Sequence, residues 1–318
     1  MPASSINQPR HHSRLIGLLI LILTAGAIAG LLRSCSGPAA RATPNVQRPS
    51  ARAALAGSMT SSPVEVTGVE QRLITDVSNL QGAYGVAVID LATGASYGVN
   101  GNRIFRAASV NKMPIIVTLY ERATLGRLTL DQTLALSESD IQHYGTGIIQ
   151  NSDAPRVYTL SQLGALMIQV SDNTAAYVLE RFLGQQTIQQ NAKHWRLDHT
   201  SMADNTTTPA DAASLMASLY ADRLVPSDAT EAILSLLQSS VFGDRLGAGL
   251  PAGVTLAHKV GTDLGVYNDA GVVMFAQRPY AIAVLSEDAD EPEASAAFAR
   301  VSKDVYDFQV SLGPVRPR

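Results

Sequence analysis

Ser109 and Lys112 lie three residues apart in RAASVNKMPI, residues 106–115, where the chain turns apolar. On a helix this spacing puts both side chains on one face, one turn apart. A serine hydroxyl is a weak nucleophile until a base takes its proton, and a neutral lysine can be that base. Burial and a second nearby cation both lower a lysine's pKa, so the chemistry needs Lys112 in a dry site. Ser109 also has an ordinary reading as the residue that opens and caps the helix. Pro114, in the next turn, removes one helical hydrogen bond and is expected to bend the helix there.

Two further stretches carry groups that could work with this pair. VSDNTAAY places Ser171, Asp172 and Asn173 just before a helical pattern, and HKVGT places Lys259, Gly261 and Thr262 at a strand end. Singly each is weak. A Ser-x-x-Lys arises by chance about once in a chain of this size. An SDN tripeptide can be no more than a helix cap, and a lysine beside a glycine is commonly a solvated strand end. Three such motifs in this order, each at an element boundary, are hard to produce by chance.

The elements that must position them follow from apolar periodicity. VEQRLITDVSNL (69–80) has helical spacing, and YGVAVIDLATGASYGV (84–99) reads as two strands joined by an Ala-Thr-Gly turn. A mostly helical middle follows, clearest at 160–170, 174–183, 209–222 and 229–239, with Thr208 as a cap and Pro209 at the first helical position. Strand signals return at VTLAHKVG, NDAGVVMFA and PYAIAVLSE, and a last helix covers about 292–310. The predicted class is α/β (α+β): an antiparallel five-stranded sheet flanked by helices, with an inserted all-helical lobe over about 106–225. The globular domain is expected over 66–312, with a ligand cleft between the lobes.

The chain has 318 residues, 46% of them hydrophobic and 16% charged, with a net charge of −3, enough for a sizeable core. That near-balance gives no electrostatic footprint for nucleic acid. Six scattered histidines and one cysteine offer no metal site, and no phosphate-binding glycine motif is present. No cofactor is expected, and the chain reads as a monomer. At the N-terminus, basic residues precede an 18-residue apolar run, Leu15–Leu32. Residues 1–35 therefore read as a retained membrane anchor, a signal segment cleaved near Ala27-Ile28-Ala29, or a lipid site at Cys35. All three place the body outside the cytoplasm, in the cell envelope. Residues 36–65, rich in Pro, Ala, Ser and Arg, read as a flexible linker.

Taken together, the motifs resemble those of the penicillin-recognising serine enzymes, which use Ser-x-x-Lys, Ser-x-Asn and Lys-[Thr/Ser]-Gly. FRAASVNK, SDNTAAYVL, WRLDHT and TTTPADAASLM are similar to the class A β-lactamase branch, and the resemblance covers residues 66 to 312. It implies a β-lactamase/transpeptidase-like fold and assigns roles. Ser109 is the nucleophile, Lys112 its base, and the backbone N–H groups of Ser109 and Thr262 form the oxyanion hole. Ser171 relays a proton to the leaving nitrogen, Asn173 holds the substrate amide, and Lys259 attracts its carboxylate. The implied partners are β-lactams or the D-alanyl-D-alanine peptides of peptidoglycan.

Two departures stand out. Hydrolytic members of the branch carry a glutamate that activates the deacylating water, yet no Glu lies between Arg196 and Pro209. The loop is shortened, an ungapped count puts Ser201 at the glutamate's place, and Asp198 and Asp204 are its only carboxylates. Asp198 reads as part of the loop's own structure and Asp204 as a solvated turn residue. Secondly, Val260 stands where the family has a hydroxyl, and Thr262 on the same strand face is a candidate replacement. Tyr144, in HYGTGII, either walls the cleft or lies on the surface. Asn268-Asp269 reads as a structural strand start, His258 as packing on the opposite strand face, and Trp195 as core. The expected activity is an extracytoplasmic serine hydrolase that forms an acyl-enzyme, with a DD-peptidase-like role favoured over efficient β-lactam turnover. A true β-lactamase with another deacylation base, or a non-catalytic binder of antibiotics or wall fragments, are the alternatives.

Overall fold

The computed structural model describes residues 63–152 and 156–314; the N-terminal segment 1–35 and nearly all of the 36–65 stretch lie outside these residues. Among the described residues no helix is long and apolar enough to cross a membrane.

The chain opens with helix α1 (Pro63–Val77), which starts three residues before the expected boundary, and continues into strands β1 (Ala83–Asp90) and β2 (Ser96–Val99). Three long strands return near the C-terminus: β7 (Thr255–Asp263), β8 (Val266–Met274) and β9 (Tyr280–Glu287), followed by helix α8 (Glu291–Ser311). These five strands make one antiparallel sheet in the order β2-β1-β9-β8-β7. β9 and β8 are almost wholly buried, as expected of strands covered on both faces. On one face Val69 and Leu73 of α1 and Phe298 and Val301 of α8 pack against Val86, Val88, Ile282 and Val284. On the other, the small residues Ala212 and Ala213 lie against Ala87, Ala283 and Leu285, so the helix carrying them can approach the sheet closely.

That helix, α6 (Pro209–Tyr220), belongs to the inserted helical part, with Thr208 capping it through Asp211 N and Pro209 at its first position. The others are α2 (Lys112–Thr124), α3 (Leu160–Gln169), α4 (Asn173–Leu183), α5 (Gln185–His194) and α7 (Ser227–Gln238). They share an apolar core from Met113 to Leu237. The lobe is not purely helical: β4 (Thr133–Ala135) pairs with β5 (Val157–Thr159). Two-residue strands β3 (Phe105–Arg106) and β6 (Thr206–Thr207) pair beside the segment that carries Ser109.

Asn268 joins the sheet to that segment. Fully buried in β8, it donates through Nδ2 to the carbonyls of Arg106 (2.8 Å) and Ala107 (3.0 Å) and accepts at Oδ1 from Ser286 N (2.9 Å). It is the third residue of β8 rather than the strand's start, because β8 begins at Val266. Each buried group left unpaired costs about 1–3 kcal/mol. Asn268→Ala is therefore expected to lower the unfolding free energy by about 3 kcal/mol in urea denaturation, and a loss under about 1 kcal/mol would contradict this account.

Candidate active site

Ser109 does not cap a helix. It sits in a short 3₁₀ turn, Ala108–Asn111, and neither that turn nor α2 has a side-chain cap. Lys112 is the first residue of α2, and Pro114 falls in the first turn, where N–H groups have no intrahelical partner. The proline thus fits the helix start, and the expected bend has no missing hydrogen bond to cause it. Ala108 just before the serine has φ +48°, a left-handed conformation that is uncommon outside glycine.

The lysines meet at Ser171. Lys112 Nζ donates to Ser171 O (2.6 Å), Ser171 Oγ (3.1 Å) and Asn173 Oδ1 (2.7 Å). Lys259 Nζ lies 2.9 Å from Ser171 Oγ and 2.9 Å from Val260 O. Ser171 is buried with φ +55°, and Thr146 Oγ1 also donates to its carbonyl (2.8 Å). The helix-cap role in SDN belongs to Asp172, whose Oδ1 accepts from Ala175 N (2.9 Å) at the start of α4. Its Oδ2 accepts from Ile148 N and Ile149 N, and the added Cβ of any other residue at Gly147 (φ +132°) would lie 2.5 Å from that oxygen. Capping and chemistry are thus divided within one tripeptide: Asp172 closes the helix while Ser171 and Asn173 face the lysine.

Burial lowers the Lys112 pKa from 10.5 to about 7, and the Asp172 carboxylate pulls in the other direction. Lys259, with no exposed surface, is driven well below its usual value by burial first and by Lys112 second. Two amines flanking one hydroxyl form a path along which a proton can move: Ser171 Oγ accepts from one nitrogen and donates to the other once that nitrogen is neutral.

Ser109 stands half-buried beside this network, and among the described residues its hydroxyl has no hydrogen bond to Lys112, all of whose N–H partners lie on Ser171 and Asn173. What meets the serine directly is β7, the edge strand of the sheet. A Cβ at Gly261 would lie 2.8 Å from Ala107 O and 3.2 Å from Ser109 N, so only glycine lets the strand come this close. Thr262 is exposed next to it, and its Oγ1 accepts from Arg245 Nη2 (2.7 Å). Arg245 is buried, holds Gly261 O and Asn268 O through Nη1 at 2.8 Å each, and keeps an unpartnered Nε. Sequence reasoning missed Arg245, which lies in no motif, and Thr146, two residues after Tyr144 in HYGTGII, where only Tyr144 is singled out. Tyr144 turns its side chain outward (65% exposed) and contributes its carbonyl, which accepts from Asn173 Nδ2 (3.1 Å). His258 is paired with Asp269 across the β7–β8 ladder (2.8 Å); burial opposes its charged form, but the carboxylate outweighs burial and raises its pKa.

The loop without a glutamate is a tight hairpin. Ser201 and Thr206 exchange backbone hydrogen bonds, and Ser201 Oγ donates to Asp204 Oδ2 (2.8 Å). Asp198 is exposed beside Arg196, at 3.9 Å. Asp211 of α6 ties the loop's entry by accepting from His199 N and Thr200 Oγ1. Among the described residues no carboxylate is hydrogen-bonded to Ser109 or Lys112, and no group of acidic, histidine or cysteine side chains is arranged to hold a metal ion.

Residues 69–309 match the family model of the Beta-lactamase enzyme family. The chain belongs to that family. It is 28% identical to a Beta-lactamase of Proteus vulgaris over 64% of this chain and 81% of that one. It is also 28% identical to Beta-lactamase Toho-2 of Escherichia coli, over 73% and 86%. Among solved structures, PBP-A is similar with TM-score 0.71 and 31% identity, covering 76% of this chain and 95% of that one. An ancestral class A β-lactamase gives TM-score 0.71 at 26% identity, covering 75% and 99%. The fold is that of the class A β-lactamases, five-stranded antiparallel sheet included.

In this member the fit between β7 and the serine turn has no slack. Gly261→Ala is expected to slow covalent labelling of Ser109 by a β-lactam roughly 10- to 100-fold, as a shift of about 1 Å at a reacting group does. A labelling rate equal to the parent's, in a stopped-flow or gel assay, would show that β7 does not position the serine.

Proposed function

We propose that this protein is a serine hydrolase that forms an acyl-enzyme through Ser109 with β-lactams or D-alanyl-D-alanine peptides and releases β-lactam acyl groups slowly, in the manner of a DD-peptidase. The observation that carries this reading is the buried Lys112–Ser171–Lys259 network together with a loop none of whose carboxylates is hydrogen-bonded to Ser109 or Lys112 among the described residues. In the step that forms the ester, Ser109 Oγ bonds to the carbonyl carbon and its proton passes to neutral Lys112 Nζ. The C–N bond breaks, and the leaving nitrogen takes a proton through Ser171 Oγ, which Lys112 and Lys259 both touch. The N–H groups of Ser109 and Thr262 serve the developing oxyanion, where each donor is typically worth about 3 kcal/mol. Thr262 Oγ1 and the Arg245 guanidinium bonded to it offer the substrate carboxylate a hydroxyl and a positive charge, which replaces the hydroxyl missing at Val260.

Release is the weak step. Asp204 is engaged by Ser201, and Asp198 sits in solvent beside Arg196. Lack of a positioned base slows the step it serves by roughly 10²–10⁴-fold. The similarity to PBP-A, a mutant of which was captured as an acyl-enzyme with penicillin G, supports the covalent step. The relatives named Beta-lactamase favour a second reading, in which another group activates the water. The basic-then-apolar segment ending at Leu32 supports a place in the cell envelope, where wall peptides are the available substrates.

Mixing the full chain with a chromogenic cephalosporin should give a burst near one equivalent followed by a slow steady state, and no burst with Ser109→Ala. Sustained fast turnover would favour the β-lactamase reading, and the absence of any burst would leave a non-catalytic binder. The burst rate should also follow the protonation of Lys112: only the neutral amine takes the proton, so acylation rises with pH through a midpoint near 7. A rate independent of pH between about 5 and 9 would remove Lys112 as the base.

A further inference from the structure

The 3₁₀ turn that carries Ser109 holds Ala108 in a left-handed conformation, and a non-glycine residue stays there only when its surroundings over-determine it. On one side Asn268 bonds the carbonyls of Arg106 and Ala107. On the other side a single loop residue reaches both flanks of the serine. Asn205 accepts at its backbone oxygen from Ala107 N (2.8 Å) and at its side-chain Oδ1 from Asn111 Nδ2 (3.0 Å). Those partners lie two residues before and two residues after Ser109. Asn111 also donates to Ser201 O (3.2 Å), so both protons of its amide are used on the two arms of the hairpin.

Two features set this arrangement apart from ordinary helix capping. Asn111 stands at the N-cap of α2, where asparagine is strongly favoured as a cap, yet it makes no cap bond; it is 6% exposed and faces the loop. Asn205 is itself left-handed (φ +50°), a conformation that asparagine tolerates and that aims its carbonyl and side chain at the same turn. The hairpin that holds no free carboxylate therefore has another task. We propose that Asn111 and Asn205 form a clamp that holds the Ser109 turn in its reactive geometry, which makes both of them positioning residues for acylation. This rests on the reading of Ser109 as the nucleophile.

The test is the second-order rate of covalent labelling by a fluorescent penicillin, measured on the full chain with its pH profile and melting temperature. Asn205→Gly accommodates the left-handed backbone, leaves the backbone oxygen that Ala107 N bonds, and deletes the side chain that carries Oδ1. Asn111→Leu removes both amide bonds at similar volume. Each is expected to label roughly 10- to 100-fold more slowly. The pH midpoint near 7 should stay in place, because Lys112 bonds to Ser171 and Asn173 rather than to the clamp. Asn205→Asp, which retains the acceptor, should label at nearly the parent rate. Equal labelling rates for Asn205→Gly and the parent, with only the melting temperature reduced, would overturn the clamp. Should Asn111→Leu not fold, the glycine variant decides by itself. A parent chain that takes no label at all would overturn the nucleophile reading, and the clamp with it.

Discussion

Two lysine amines buried against one serine hydroxyl are the constraint around which this structure is arranged. Moving a charged amine out of water is expensive unless it is paired or gives up its proton. Among the described residues Lys112 and Lys259 have no carboxylate hydrogen-bonded to them; their partners are the Ser171 hydroxyl and carbonyl, the Asn173 amide oxygen and the Val260 carbonyl. Neutral acceptors satisfy the N–H groups without neutralising the charge, and burial lowers the pKa values of both lysines. That is the condition under which a lysine works as a base near neutral pH.

Satisfying this constraint fixes much else. Lys112 comes from the first turn of α2 and Lys259 from an edge strand nearly 150 residues later, so the helical part and the sheet must meet at Ser171. Ser171 can present its carbonyl and hydroxyl together because its backbone is left-handed, and Asp172 and Thr146 hold that backbone in place. The Ser109 turn shows the same pattern: an unfavourable conformation at Ala108, held from the sheet side by Asn268 and from the loop side by Asn205. Strain at Ala108 and Ser171 is balanced by hydrogen bonds from neighbouring residues.

Different parts of the site have departed from the family pattern to different degrees. The residues of the three motifs are all present, and where Val260 lacks a hydroxyl, Thr262 two residues on has one, bonded by Arg245. The loop that would serve release has instead become a short hairpin whose polar groups face one another or the serine turn. In the proposed reading, the structure favours making the ester over breaking it.

Much of the fold was legible in the chain. Strand alternation and helix periodicity located the five strands of the sheet and most helices to within a few residues, since these patterns record which face is buried. The three motifs singled out residues that the structure brings together, and the missing glutamate is a property of the sequence alone. The division of labour within SDN, the turn rather than cap at Ser109, and the outward side chain of Tyr144 required the structure. Asn205 and Asn111 carry no motif, and Arg245 becomes meaningful only beside Thr262, 17 positions away. Sequence spacing reports on neighbours along one element. It is silent on neighbours across elements, where a lysine's pKa and the alignment of a serine are decided.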